Sequence, residues 1–129
     1  MPELEVAIRA ARAAASIQAS ERGSDLQVRT KSTDIDLVTR VDTASEAAIV
    51  EILLSAFPED NILGEEAGQH EGSSSRRWIV DPLDGTLNYT HGFPWYCVSI
   101  ALEVEGQIEL GVVLDSVHGE LFTARRGKG

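Results

Sequence analysis

The chain has 129 residues, 43% of them hydrophobic, with one cysteine and a formal net charge of -10. That is enough apolar material for one modest core, while the excess of acids makes nucleic acid an unlikely default partner, because phosphate contacts need clustered Lys and Arg. No apolar run approaches the roughly 20 residues that span a bilayer, Glu3, Glu5 and Arg9 are unlike a secretory leader, and Cys97 alone cannot close an internal disulfide, so a cytoplasmic protein with no membrane partner and no redox role is expected.

From Pro2 to about Glu21 the segment is rich in Ala and carries Leu4, Ile8, Ala11, Ala15 and Ile17 near helical spacing, with Arg9, Arg12 and Gln18 elsewhere on the wheel. This predicts an amphipathic helix, with Gly23 as its terminator. Leu26, Val28 and Thr30 alternate with Gln27, Arg29 and Lys31 as a half-exposed strand does, and Ser32-Thr33-Asp34 reads as a turn before a short extended piece, Asp36 to Thr39. Thr39 and Asp42 have the spacing of a capping box, with Asp where Glu or Gln is usual. A second helix then runs to about Phe57, where Pro58 stops it, burying Ala44, Ala48, Ile49, Ile52, Leu53 and Ala56. In that position Asp42 is readable as a first-turn acid facing the helix dipole.

Ile62-Leu63 is a short strand with Gly64-Glu65-Glu66 as its outlet, and two adjacent acids at a strand end are ordinarily just solvated. Ala67 to Arg77, built around Gly72 and three serines, reads as the most mobile, polar loop, with Arg76-Arg77 a solvated pair. Trp78-Ile79-Val80 is a buried strand ending where Asp81 begins. Asn88 to Pro94 leads into three further strands, Tyr96 to Val104, Gln107 to Leu114 and Glu120 to Ala124, joined at Glu105-Gly106 and Ser116 to Gly119 as antiparallel neighbours. The pattern is α+β, two helices early and a meander late. Arg125-Arg126-Gly127-Lys128 reads as a solvated turn whose next strand is missing, and Cys97, in apolar surroundings, as a buried small hydrophobe.

The stretch Asp81-Pro82-Leu83-Asp84-Gly85-Thr86 carries the most chemistry. Pro82 fixes its own φ and biases Asp81 toward an extended conformation, and Gly85 permits a sharp turn. Two carboxylates, the Leu83 carbonyl and the Thr86 hydroxyl can then be aimed into one volume, an oxygen donor set that suits hard divalent cations. Asp-Pro and Asp-Gly are also common turn formers, so the pentapeptide by itself is equally readable as a loop. Other acids have to decide.

Three separated motifs in order, D-L-V-T-R-V-D, G-E-E and W-I-V-D-P-L-D-G-T-L-N-Y, resemble the inositol monophosphatase family of metal-dependent phosphatases, and K-S-T-D-I-D-L-V-T, F-P-W-Y-C-V-S-I-A and L-F-T-A-R-R-G-K-G are similar to it as well. The resemblance implies two helices packed on a largely antiparallel sheet, the N-terminal part of a layered αβαβα sugar-phosphatase fold. It implies at least two Mg²⁺ ions, a first held by Glu65, Asp81 and the Leu83 carbonyl, a second by Asp81 and Asp84. Glu66 is then the neighbouring acid, less often a ligand. Thr86 paired with Asp42 helps Glu65 activate the attacking water, and the amides of Gly85 and Thr86 receive the substrate phosphate. The implied reaction is hydrolysis of a phosphate monoester, inositol 1-phosphate or a similar polyol or sugar phosphate, by direct attack of metal-activated water. Fructose 1,6-bisphosphate, histidinol phosphate and adenosine 3',5'-bisphosphate are alternatives within the superfamily. Lys31 is more simply an exposed strand lysine, His91 is too weakly placed for a ligand, and His70 and His118 are loop residues.

The resemblance covers nearly all of residues 1–129 but about the N-terminal half of a typical family member. A further metal-binding Asp and most substrate contacts of the family belong to the other half. The chain alone is therefore expected to bind Mg²⁺ weakly and to show little activity, with a homodimer expected for the full-length protein. The alternative is a truncated, non-catalytic module that keeps the fold for binding or assembly.

Overall fold

Two long helices lie on one face of a six-stranded sheet: α1 spans Pro2–Asp25 and α2 spans Lys31–Ala56. The computed structural model describes residues 2–25, 31–65 and 69–129. In α1 the residues sealed from solvent are Ala7, Ala10, Ala11, Ala14 and Gln18, spaced by threes and fours as one helix face requires. The buried stripe is therefore rotated from the expected one, and Leu4, Ile8 and Ala15 flank the core instead of centring it. Methyl side chains along the contact line let α1 sit close to α2 and the strands, a position that leucines would hold apart. Gly23 does not end this helix, which runs on to Asp25; its intrinsic cost in a helix is only about 1 kcal/mol.

α2 begins eight residues before the expected capping box. The turn at Ser32-Thr33-Asp34, the extended piece Asp36 to Thr39 and the Thr39–Asp42 cap are all replaced by continuous helix. Ser, Thr and Asp are weak helix formers, not breakers, and no Gly or Pro interrupts Lys31–Ala56, so propagation at one hydrogen bond per residue prevails over local turn chemistry. Asp42 thus lies well inside a helix and is no first-turn acid. Lys31 is helical, not part of a strand, and the strand expected over residues 26–30 lies outside the described residues. Ile49 and Leu53 are fully buried as expected, Ala44, Ala48 and Ile52 are partly so, and Ala56 is exposed.

The strands are β1 Asn61–Gly64, β2 Gln69–His70, β3 Arg76–Asp84, β4 Cys97–Val104, β5 Gln107–Asp115 and β6 Leu121–Arg125, with a short helix α3, Thr86–Thr90, after β3. Their order is β2-β1-β3-β4-β5-β6. β1 pairs with β3 in parallel, and every other pair is antiparallel. The expected meander is present, and its Glu105-Gly106 turn takes positive φ at both residues (49° and 82°), the twist a two-residue hairpin needs. Alternate residues Trp78 and Val80, Val98, Ile100 and Leu102, Leu110, Val112 and Leu114 face α1 and α2 and are almost wholly buried. None of the described helices is long and apolar enough to cross a membrane.

Residues 67 and 68 lie outside the described residues, but from Gln69 on the polar stretch before β3 is built into the fold. β2 occupies Gln69–His70, and Arg76 and Arg77 are the first residues of β3. Ser73 and Ser74 donate to the carboxylates of Glu59 and Asp60, each at 2.8 Å. Asp60 is buried, and its second oxygen accepts from Arg76 Nε (3.1 Å) and Nη2 (2.9 Å) and from Trp78 Nε1 (2.9 Å). Arg76 also reaches Glu3 of α1 at 3.0 Å and lies over the Phe57 ring, while Arg77 pairs with Glu103. The arginines are consequently not a solvated pair: a buried carboxylate needs a cation and donors to offset its desolvation, and Arg76 supplies them. At the C-terminal turn Arg126 likewise pairs with Glu109.

Candidate metal and phosphate site

The acids meet because two strands run parallel. Gly64 of β1 pairs with Val80 of β3, so the next residue of each strand, Glu65 and Asp81, leaves the sheet side by side at the same end. The two carboxyl groups lie close enough to bear on each other's charge. Burial pushes the Asp81 carboxyl up to about 6, and the negative charges of Glu65 and then Asp84 add to it, with the Leu83 N–H pulling the other way. A Cβ at residue 64 would fall 2.5 Å from Oε1 of the buried Glu46, so any residue but glycine there requires the Glu46 carboxylate to shift.

β3 does not stop at the acids. It continues to Asp84 through a bulge: Asp81 pairs with Ser99 and Asp84 with Cys97, so Pro82 and Leu83 together lie opposite Val98. A proline, lacking an N–H, is tolerated where the ladder is already broken. The Leu83 carbonyl accepts the Thr86 hydroxyl at 3.1 Å. Asp84 is exposed at the strand's end, and Gly85 follows in the left-handed region, φ 99° and ψ 38°, capping α3. A Cβ on Gly85 would lie 3.0 Å from the Trp95 carbonyl and 3.2 Å from Tyr96 Cβ. Glycine is therefore required both for its backbone angle and for the close approach of the following chain.

Beneath this turn the Leu83 side chain joins Val41, Tyr89 and Tyr96 in a second small core, with the two tyrosine rings edge to face at 5.0 Å. Val41 brings α2 to the turn, and its neighbour Asp42 is buried. Glu65, Asp81, Leu83, Asp84 and Thr86 are thus gathered at one end of the sheet, with Asp42 on the helix beneath. The single hydroxyl hydrogen of Thr86 goes to Leu83 here and not to Asp42. Glu66 lies outside the described residues. His91 and His70 are exposed, and His118 bonds Asp115 at 2.9 Å in the turn after β5.

Two features were not legible in the sequence. Cys97 is half-buried rather than buried, with Sγ 3.9 Å from Asp84 Oδ2, and burial together with the carboxylates of Asp84, Asp81 and Asp115 pushes its thiol up to about 11. It is no reactive thiolate, as expected, but the reason includes its acidic neighbours. Beside it lies an open cleft of about 390 Å³ bounded by Asp84, Asn88, Trp95, Asp115 and Phe122. Its aromatic walls come from separate strands and loops, which no local spacing reveals.

Among the described residues, no three His, Cys, Asp or Glu side chains converge into a ligand group by themselves. The donors that do meet fit a hard divalent ion in chemistry. They are oxygens throughout, and burial together with the charges of Glu65 and Asp84 raises Asp81, a penalty on its charged form that a cation relieves.

The inositol monophosphatase family model matches residues 2–129. The Nus factor SuhB of Pasteurella multocida is 50% identical over 131 residues, which cover 99% of this chain and 49% of that protein. In structure, the extragenic suppressor protein suhB from Bartonella henselae superposes with a TM-score of 0.87 at 37% identity, covering all of this chain and 50% of its own. The inositol monophosphatase from Anabaena (Nostoc) sp. PCC 7120 superposes with a TM-score of 0.83 at 37% identity, covering 99% of this chain and 45% of its own. The chain spans about half the length of the relatives it matches. Sequence, fold and the arrangement of acids agree: the chain belongs to the inositol monophosphatase family.

Proposed function

We propose that the chain carries the N-terminal part of a Mg²⁺-dependent phosphate monoester hydrolase whose substrate is inositol 1-phosphate or a similar polyol or sugar phosphate. The observation that carries this reading is the side-by-side emergence of Glu65 and Asp81 from parallel strands, with Asp84 at the end of the following bulge. Glu65, Asp81, Asp84 and the Leu83 carbonyl would hold two Mg²⁺ ions. Bound there, the ions supply charge for the phosphate oxygens and lower the pKa of water.

The chain's own groups do the rest. Glu65 takes up the proton of the attacking water, and Asp42 with Thr86 Oγ1 orients that water in line with the leaving alcohol. The N–H groups of Gly85 and Thr86 orient the phosphate. With only one turn of helix behind them, they contribute direction more than dipole. A phosphatase panel run with and without Mg²⁺, on this chain and on a version as long as its relatives, tests the reading. Mg²⁺-dependent hydrolysis by the longer version and little by this chain is expected. Hydrolysis by the longer version that ignores Mg²⁺, or full-rate turnover by these 129 residues, overturns it.

One observation favours a second reading, a non-catalytic role in binding or assembly: the relative at 50% identity is named a Nus factor. Under that reading Asp81→Asn leaves the biological role of the longer protein intact. Under the first it abolishes it.

A further inference from the structure

Pro82 sits in the bulge with its carbonyl turned out of the β3–β4 ladder, and a residue of α1 receives it. Gln18 is wholly buried, and its Nε2 donates to the Pro82 carbonyl at 2.7 Å and lies 3.3 Å from Ser45 Oγ of α2. The main-chain carbonyl of the same Gln18 accepts the Tyr89 hydroxyl of α3 at 3.0 Å. One residue of α1 thus grips the turn on both sides of Asp84, before it through Pro82 and after it through Tyr89. The amide orientation is forced, because a proline carbonyl can only accept and the nitrogen must face it. That choice leaves Gln18 Oε1 buried with no hydrogen-bond partner among the described residues. A core amide that leaves its own oxygen unsatisfied is costly, and an apolar side chain would pack there without that cost.

We propose that Gln18 is a positioning residue: it holds the Pro82 peptide so that the Asp81 carboxylate on one side and the Leu83 carbonyl on the other point toward one ion. The proposal rests on the metal-site reading for what the turn holds, and on geometry alone for the clamp. The two bulge carbonyls are then divided by function. Pro82 is tied inward to Gln18, and Leu83 accepts the Thr86 hydroxyl.

The test measures Mg²⁺ binding by calorimetry and amide hydrogen exchange across residues 83–89, on the chain as it stands. Gln18→Met keeps length and volume and removes the donor. It is expected to weaken Mg²⁺ affinity about tenfold, the usual effect of removing a partner that orients a ligand, and to speed exchange across residues 83–89 while β4 and β5 amides keep their protection. Gln18→Leu also removes the donor with a smaller apolar side chain and is expected to weaken affinity by about tenfold as well, which keeps the proposal testable if Gln18→Met does not fold. Ser45→Ala, which leaves the Pro82 bond in place, is expected to leave affinity unchanged. A purely structural Gln18 would loosen all regions together with no change in affinity at temperatures where the variant is folded, and that result overturns the proposal. So does unchanged exchange across residues 83–89. If the unsubstituted chain shows no saturable Mg²⁺ binding, the metal reading fails, and the exchange data decide the clamp separately.

Discussion

Because Asp81 is half-buried and crowded by Glu65, Asp81→Asn should change stability with opposite signs in the absence and presence of Mg²⁺. With chelator present, the folded chain holds the Asp81 proton up to about pH 6, against 3.8 for an ordinary aspartate. A raised folded value means that the folded state binds more protons between those limits. The stability this lends is complete below about 3.8 and lost as pH rises through about 6. Two pH units at about 1.4 kcal/mol each set an upper bound of about 3 kcal/mol. Asp81 is only half-buried, and solvent screening brings the expected effect to about 1 kcal/mol. Asn resembles the protonated acid, so in urea unfolding with chelator the variant should match the unsubstituted chain near pH 4 and exceed it by about 1 kcal/mol near pH 7.5. Adding Mg²⁺ should reverse the order. A ligand at about ten times its Kd stabilises the folded state by about 1.4 kcal/mol, and the variant, short of a ligand, gains little. A variant less stable than the parent near pH 7.5 in chelator, or one that gains equally from Mg²⁺, would refute the crowding and the ligand assignment respectively.

Asp60→Ala leaves the buried indole N–H of Trp78 without its acceptor and Arg76 with Glu3 as its remaining ion pair among the described residues; about 2–4 kcal/mol of stability should be lost in urea unfolding. Arg77→Ala, which breaks a more exposed pair with Glu103, should cost under about 1 kcal/mol, and comparable losses for the two variants would contradict the Asp60 hub. Gly85→Ala should cost at least about 1–2 kcal/mol from its left-handed φ, with a change in Trp95 emission as the 95–96 backbone gives way; a neutral variant would mean the turn is built differently. With its thiol raised from 9.0 to about 11, Cys97 should react with iodoacetamide near pH 8 about a hundredfold more slowly in the folded chain than in urea, and equal rates would show that its acidic, half-buried setting is wrong.

The strands of the meander were readable one by one. Trp78–Val80 is a short apolar run and the later strands are marked off by the turns between them, and the structure covers alternate residues of each with helices, so local pattern and burial agree. α2 shows the opposite case. Ser32, Thr33 and Asp34 favour turns when considered locally, yet helix continues from Lys31 because nothing between there and Ala56 breaks it.

Sequence alone determined the chemistry of the candidate site. The proline that fits a broken ladder, the glycine that takes a left-handed φ, the oxygen donors around them and the family's motifs are all properties of neighbouring residues. Tertiary structure alone decided what those residues meet. Glu65 touches Asp81 only because β1 and β3 run parallel across an intervening segment. Asp60 becomes a buried hub only because Trp78 and Arg76 converge on it. Gln18, which the wheel placed away from the apolar stripe, lies under the turn only because small alanines rotate the buried face of α1 toward it. Each is a contact between residues far apart in the chain, fixed by packing and register, and neither has a local signature.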